Sequence, residues 1–194
     1  MNYKKINPTD ITENNFKLIG NDWMLITAGG KDNAGNEKVN TMTASWGGTG
    51  IMWGNPVAFV VIRDSRYTKE FVDNSDSFTL TFYDDSYKAK LGYLGKVSGR
   101  DEDKIKESGL TVDNIDGTPY FTESRLVLRC EKLFASPMNK ECFIDTSILN
   151  KWYEGGDYHT LYVAKITDVL QAEEVYNDSL IQWSTYFEPL ILVL

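Results

Sequence analysis

Four short stretches of this sequence hold residue types that do chemistry. In Asn40-Thr41-Met42-Thr43-Ala44-Ser45-Trp46-Gly47-Gly48, Thr41, Thr43 and Ser45 alternate with Met42, Ala44 and Trp46. Alternation puts the three hydroxyls on one face of a strand, where a flat ligand can approach the backbone closely and find hydrogen bonds. A solvated polar strand face has the same pattern, because Thr favours strands. Arg63-Asp64-Ser65-Arg66-Tyr67-Thr68-Lys69 follows an apolar run and opens a helix. Free amides at a helix start favour an anion, so Arg63, Ser65, Arg66 and Thr68 suit a phosphate. The plainer alternative is a solvated helix start with Asp64 pairing an arginine. Lys96-Val97-Ser98-Gly99-Arg100-Asp101-Glu102-Asp103-Lys104 reads either as a helix–helix connection capped by Asp101 or as a loop around a nucleotide or its phosphate, using Ser98, Gly99 and Lys104. Gly155-Gly156-Asp157-Tyr158-His159-Thr160 sets His159 at a loop–strand junction. A lone histidine is more often structural, but at a pocket mouth an imidazole titrates usefully near neutrality.

Other chemistries are excluded by count and spacing. His159 is the sole histidine, which excludes His-rich metal sites and relays of two imidazoles; no metal site is expected. Cys130 and Cys142 form no Cys-x-x-Cys pair, and nothing marks either as an activated thiolate. Gly48-Thr49-Gly50-Ile51-Met52-Trp53-Gly54 is no dinucleotide fingerprint, since Asn55 and Pro56 follow where a helix is needed. No Walker A motif occurs. Lys+Arg number 20 against Asp+Glu 28, a net charge of -8, which argues against a general nucleic-acid or anionic-membrane binder. No apolar stretch reaches the ~20 residues of a membrane span, and Lys4-Lys5-Ile6-Asn7-Pro8 is no targeting signal. The expectation is a soluble cytoplasmic protein.

The elements that must position these residues form one domain over residues 1–194, a normal size for a single core. Strands are expected at 23–28, 41–46, 57–62, 78–82, 126–134 and 159–170. The continuous run Val57 to Ile62 predicts burial on both faces. Helices fit from Ser65 to about Asp73, around Tyr87 to Leu94, and from Asp101 to Gly109. Strands outnumber helices and do not alternate with them, so an antiparallel barrel with short helical insertions is the expected class. The segment after Leu170, and above all Ser179 to Leu194, is strongly apolar and reads as a terminal strand or a subunit contact.

Taken in order, the four stretches resemble the flavin reductase-like family, whose members fold as FMN-binding split β-barrels of Greek-key type. The matching residues are Asn40 to Trp46, Arg63 to Thr68, Ser98 to Lys104, and Gly156-Asp157-Tyr158-His159-Thr160-Leu161-Tyr162, within a resemblance from about Phe16 to about Leu170. The resemblance implies a homodimer with noncovalent FMN near the subunit interface. It implies that Asn40, Thr41, Met42, Thr43, Ala44, Ser45 and Trp46 line the isoalloxazine, and that Arg63, Ser65, Arg66, Tyr67 and Thr68 hold the ribityl phosphate. Ser98, Gly99 and Lys104 would complete the pocket. His159 would lie near the nicotinamide of NAD(P)H, as the catalytic candidate. The chain departs from the family at Tyr158, inserted between Asp157 and His159, at Ala164-Lys165 where Gly-Glu is common, and in its apolar tail.

The activity so implied is NAD(P)H-dependent reduction of a flavin or other small acceptor, with hydride passing to flavin N5. FMN carries the redox chemistry and the protein supplies position and electrostatics. Backbone amides around Ser45 and Trp46 would stabilise charge on the reduced ring. The alternative is a non-enzymatic FMN electron carrier reduced by a partner protein, which a net charge of -8 suits if that partner is basic.

Overall fold

A computed structural model describes residues 2–173. The expected tail contact of Ser179 to Leu194 lies outside the described residues. The strands are β1 (Tyr3–Ile6), β2 (Met24–Lys31), β3 (Glu37–Ala44), β4 (Gly47–Met52), β5 (Asn55–Arg63), β6 (Ser77–Phe82), β7 (Val112–Ile115), β8 (Thr118–Phe121), β9 (Leu126–Pro137) and β10 (His159–Ala172). The helices are α1 (Tyr67–Asn74), α2 (Lys88–Lys96), α3 (Lys104–Ser108) and α4 (Ser147–Trp152).

One sheet runs β3-β2-β6-β9-β10-β5-β4, with β1 pairing the far half of β10, and its ladders are all antiparallel. Its two ends, β3 and β4, are consecutive in the chain and joined only by Ser45 and Trp46. Three Cα steps span at most about 11 Å, so the sheet must curl until its edges meet. β3 and β4 do not hydrogen-bond to each other, which leaves the barrel split along that seam. The seam is tight where it starts. Gly47 has φ of +151°, and a Cβ there would lie 2.5 Å from the Phe59 carbonyl oxygen; only glycine fits.

Alternation fills the barrel. Phe78, Leu80 and Phe82 of β6 join Met24, Ile26, Leu126, Leu128, Tyr162 and Ile166 in the main core, and α1 adds Tyr67, Phe71 and Val72. A second cluster covers the outer side of β2 and β6, with Leu25, Tyr83, Leu91, Leu94, Leu110 and Phe121. The Thr79 hydroxyl donates to the Pro119 carbonyl of the β7–β8 hairpin. That hairpin, β1, β4 and α4 were not expected from the sequence.

Three expectations change. Val57, Ala58, Val60 and Ile62 are buried, but Phe59 is 38% exposed, because this antiparallel sheet turns one face outward. Arg66 rather than Ser65 occupies the N-cap position of α1, with no side-chain capping bond, and Ser65 donates to Asp157 instead. α3 is capped by Asp103, which accepts from the Lys106 amide, rather than by Asp101. It ends, as expected, at left-handed Gly109.

Candidate functional site

The seam opens onto two adjoining cavities that share Met42, Arg63 and Arg66. One, about 260 Å³, is polar and lies between the start of α1 and the 96–99 turn. The other, about 330 Å³, is bordered by Trp46, Trp152 and His159. The end of β3, the end of β5 and the start of β10 meet here because His159 pairs directly with Arg63 in the ladder.

In the polar half, Arg63 donates from Nη1 to the Asp157 carbonyl at 2.6 Å and from Nη2 to the Trp152 carbonyl at 3.1 Å. Ser65 donates its amide and its hydroxyl to the Asp157 carboxylate at 3.0 and 2.6 Å. Arg66 donates to the Gly95 carbonyl at 2.8 Å and, among the described residues, has no carboxylate partner. Thr68 accepts from the Asn40 side-chain amide at 2.9 Å. The Tyr67 hydroxyl is spent on Asp32 at 2.6 Å, while Lys38 and Arg100 cover its ring. Asp64 pairs with Lys69, not with an arginine.

The 98–104 turn is packed from within. A Cβ on Gly99 would sit 2.3 Å from Asn40 Oδ1, so this close approach requires glycine. Ser98 Oγ accepts from the Arg100 amide, which turns the chain. Lys104 is buried and donates to the Leu94 and Val97 carbonyls at 2.8 and 2.9 Å, satisfying the end of α2. Burial, with the nearby Arg66 charge, pulls its pKa down to about 8.

In the aromatic half, His159 is 7% exposed and its Nδ1 lies 2.7 Å from the Tyr153 hydroxyl. Its ring stands 5.2 Å from Trp46, and Trp46 meets Trp152 edge-on at 4.8 Å. Burial, then the Arg63 charge, lowers the His159 pKa to about 4, so the ring is neutral at pH 7. Ser45 and Trp46 stand outside both ladders, between β3 and β4.

Most sequence-predicted residues therefore gather at one seam. Asn40, Met42, Thr43, Ala44, Ser45, Trp46, Arg63, Ser65, Arg66, Tyr67, Thr68, Ser98, Gly99, Lys104 and His159 line one or both cavities. Thr41 lines neither. It is fully buried, its hydroxyl bonded to Thr27 Oγ1 and the Ile26 carbonyl. Thr43 lines the aromatic half, but its hydroxyl donates to the Leu91 carbonyl at 2.5 Å. The expected hydroxyl face is thus largely consumed by the fold. Asp157, Trp152 and Tyr153 were missed as site residues; Asp157 lay in the quoted Gly-Asp stretch without a role, and Trp152 and Tyr153 showed only as an aromatic pair just ahead of the Gly155-Gly156 turn.

Residues 17–190 match the model of the flavin reductase like domain. No curated protein matches the chain. Among solved structures, the FMN-binding domain of a flavin reductases-like enzyme from Shewanella baltica superposes with a TM-score of 0.63 at 17% identity, covering 91% of this chain and 80% of that one. A flavoredoxin of Desulfovibrio vulgaris gives 0.59 at 23%, over 81% and 73% of the two chains. The styrene monooxygenase flavin reductase from Pseudomonas putida gives 0.55 at 16%, over 79% and 81%. At these identities the likeness establishes the fold, an antiparallel split barrel.

Proposed function

The chain belongs to the flavin reductase-like domain family, and from that premise we propose that it binds FMN noncovalently and reduces a flavin or other small acceptor at the expense of NAD(P)H. The observation that carries this reading is the two-ended groove at the seam. Arg63, Ser65 and Arg66 stand at a polar end, and Trp46, Trp152 and His159 at an aromatic one.

The donor set fits FMN. Guanidinium groups beside an uncapped helix start suit a phosphate, and indole rings beside a small-residue strand suit a flat ring system. Arg66 has donors beyond its bond to Gly95 and would take the phosphate directly. The backbone at Ser45 and Trp46, outside the ladders, would face the ring edge. Bound FMN would supply the two-electron redox chemistry. His159 contributes position and a proton at a defined atom. When the Tyr153 hydroxyl donates to Nδ1, the one proton of the neutral ring is on Nε2, making that atom a donor. The binding claim is tested by titrating FMN and riboflavin against the protein and following flavin fluorescence. Saturable binding with FMN preferred supports it; no binding of either flavin would sink it.

A second reading is a non-enzymatic electron carrier, favoured by the flavoredoxin among similar structures and by a net charge of -8, which suits docking to a basic redox partner. We further propose a homodimer located in the cytoplasm; the dimer is supported by apolar side chains left exposed on the sheet.

A further inference from the structure

The polar half of the groove contains its own anion. Asp157 Oδ1 accepts from the Ser65 amide at 3.0 Å and Oδ2 from the Ser65 hydroxyl at 2.6 Å, while Arg63 Nη1 lies 3.9 Å from Oδ2. The Ser65 hydroxyl and amide are donors that a phosphate at the start of α1 would use, and the Arg63 charge, whose Nη1 and Nη2 donate to the Asp157 and Trp152 carbonyls, would attract it. Asp157 lines the same cavity as Arg66 and Thr68. A carboxylate and a phosphate cannot share those donors, because like charges at contact distance repel and each donor proton serves one anion well.

From this we infer that Asp157 is a built-in competitor for the ligand's phosphate: it fills the seat at Ser65, beside Arg63, and must leave before a phosphate enters. Release needs only rotation of the side chain, since the Asp157 backbone stays held through its carbonyl by Arg63. The Asp157 side chain is 36% exposed, so water receives it on release. The consequence is a flavin held weakly enough to exchange, with less advantage of FMN over riboflavin than the cations alone would give.

The inference rests on the proposed FMN site, and the test separates the two. FMN and riboflavin affinities are measured for the wild type, Asp157→Asn and Asp157→Ala, each checked for native circular dichroism. The expected result is FMN bound at least about fivefold tighter by both variants, with riboflavin unchanged. In a Ser65→Ala background the gain from Asp157→Asn should shrink, since the contested hydroxyl is gone while the amide and the Arg63 charge remain. Weaker or unchanged FMN binding, or an equal change for riboflavin, would show that Asp157 only braces the turn and would overturn the inference. If the wild type binds neither flavin, the FMN reading fails instead. Inorganic phosphate then decides: a larger phosphate-induced rise in the unfolding midpoint for Asp157→Asn than for wild type upholds the competitor, and an equal rise rejects it.

Discussion

At the scale of single residues the site divides by charge. Arg66 has one bond to Gly95 and no acidic partner among the described residues, so its charge is available to a ligand. Removing it with Arg66→Ala should cost roughly 1.5–3 kcal/mol of a charged hydrogen bond, a fall of about tenfold or more in FMN affinity with riboflavin little affected. Equal losses for both flavins would place Arg66 in the scaffold rather than on the phosphate. His159 makes a different prediction. Its pKa is lowered from 6.5 to about 4, first by burial and then by Arg63. Between those values the unfolded chain binds a proton that the native chain refuses, so stability rises with pH across the window and is lost as pH falls through it. His159→Gln should therefore flatten the change in thermal midpoint between pH 7 and about pH 4.5. An unchanged slope would contradict the buried neutral ring. Which residue types cluster was legible in the sequence; which of their atoms are already spent was not. Thr41 and Thr43 alternate as a ligand face should, yet Thr27, Ile26 and Leu91 take their hydroxyls. Partners that distant in sequence leave no local signal. Asp157 was visible in the Gly-Asp stretch, but its grip on Ser65 spans 92 residues.

At the scale of elements, the six expected strands and three helices formed, with shifted ends, because periodicity and capping are local properties. β1, β7 and β8 are each only 4 residues and fall below what alternation can show. β4 is glycine-rich, and its exposed pattern is hidden for that reason. The elements around the site are held by bonds as well as by apolar packing. Lys104 at the start of α3 closes the end of α2 through the Leu94 and Val97 carbonyls, and thereby fixes the turn over Asn40. Lys104→Met keeps the length and apolar stem but strips both carbonyls of their donor. The expected loss is about 1–3 kcal/mol in urea unfolding, with FMN affinity falling as the turn loosens. Unchanged stability would mean that water or another donor replaces Nζ.

At the scale of the whole molecule, a sheet whose two edge strands are joined by Ser45 and Trp46 alone can only curl, and its unpaired seam is where the cavities open. Curling also decides what remains outside. Phe59 and Phe134, on β5 and β9, flank the buried Val163 of β10 and are 38% and 45% exposed, with Trp53 packed beside Phe134. Such a row on one face favours association, so sedimentation should report twice the 22.1 kDa chain mass; a monomer at micromolar concentration would contradict the proposed dimer. The antiparallel class was legible from the order of strands and helices, whereas the seam was not, since it depends on which strands end up at the edges. The central claim, a flavin at that seam reduced by a nicotinamide cofactor, is tested most directly by the absorbance spectrum of the FMN-loaded protein, recorded without oxygen before and after adding NADH or NADPH. The account predicts a flavin spectrum that bleaches promptly with one of the two donors. A flavin spectrum that stays oxidised with both would contradict the reductase and leave the electron carrier, and failure to load FMN at all would contradict the site itself.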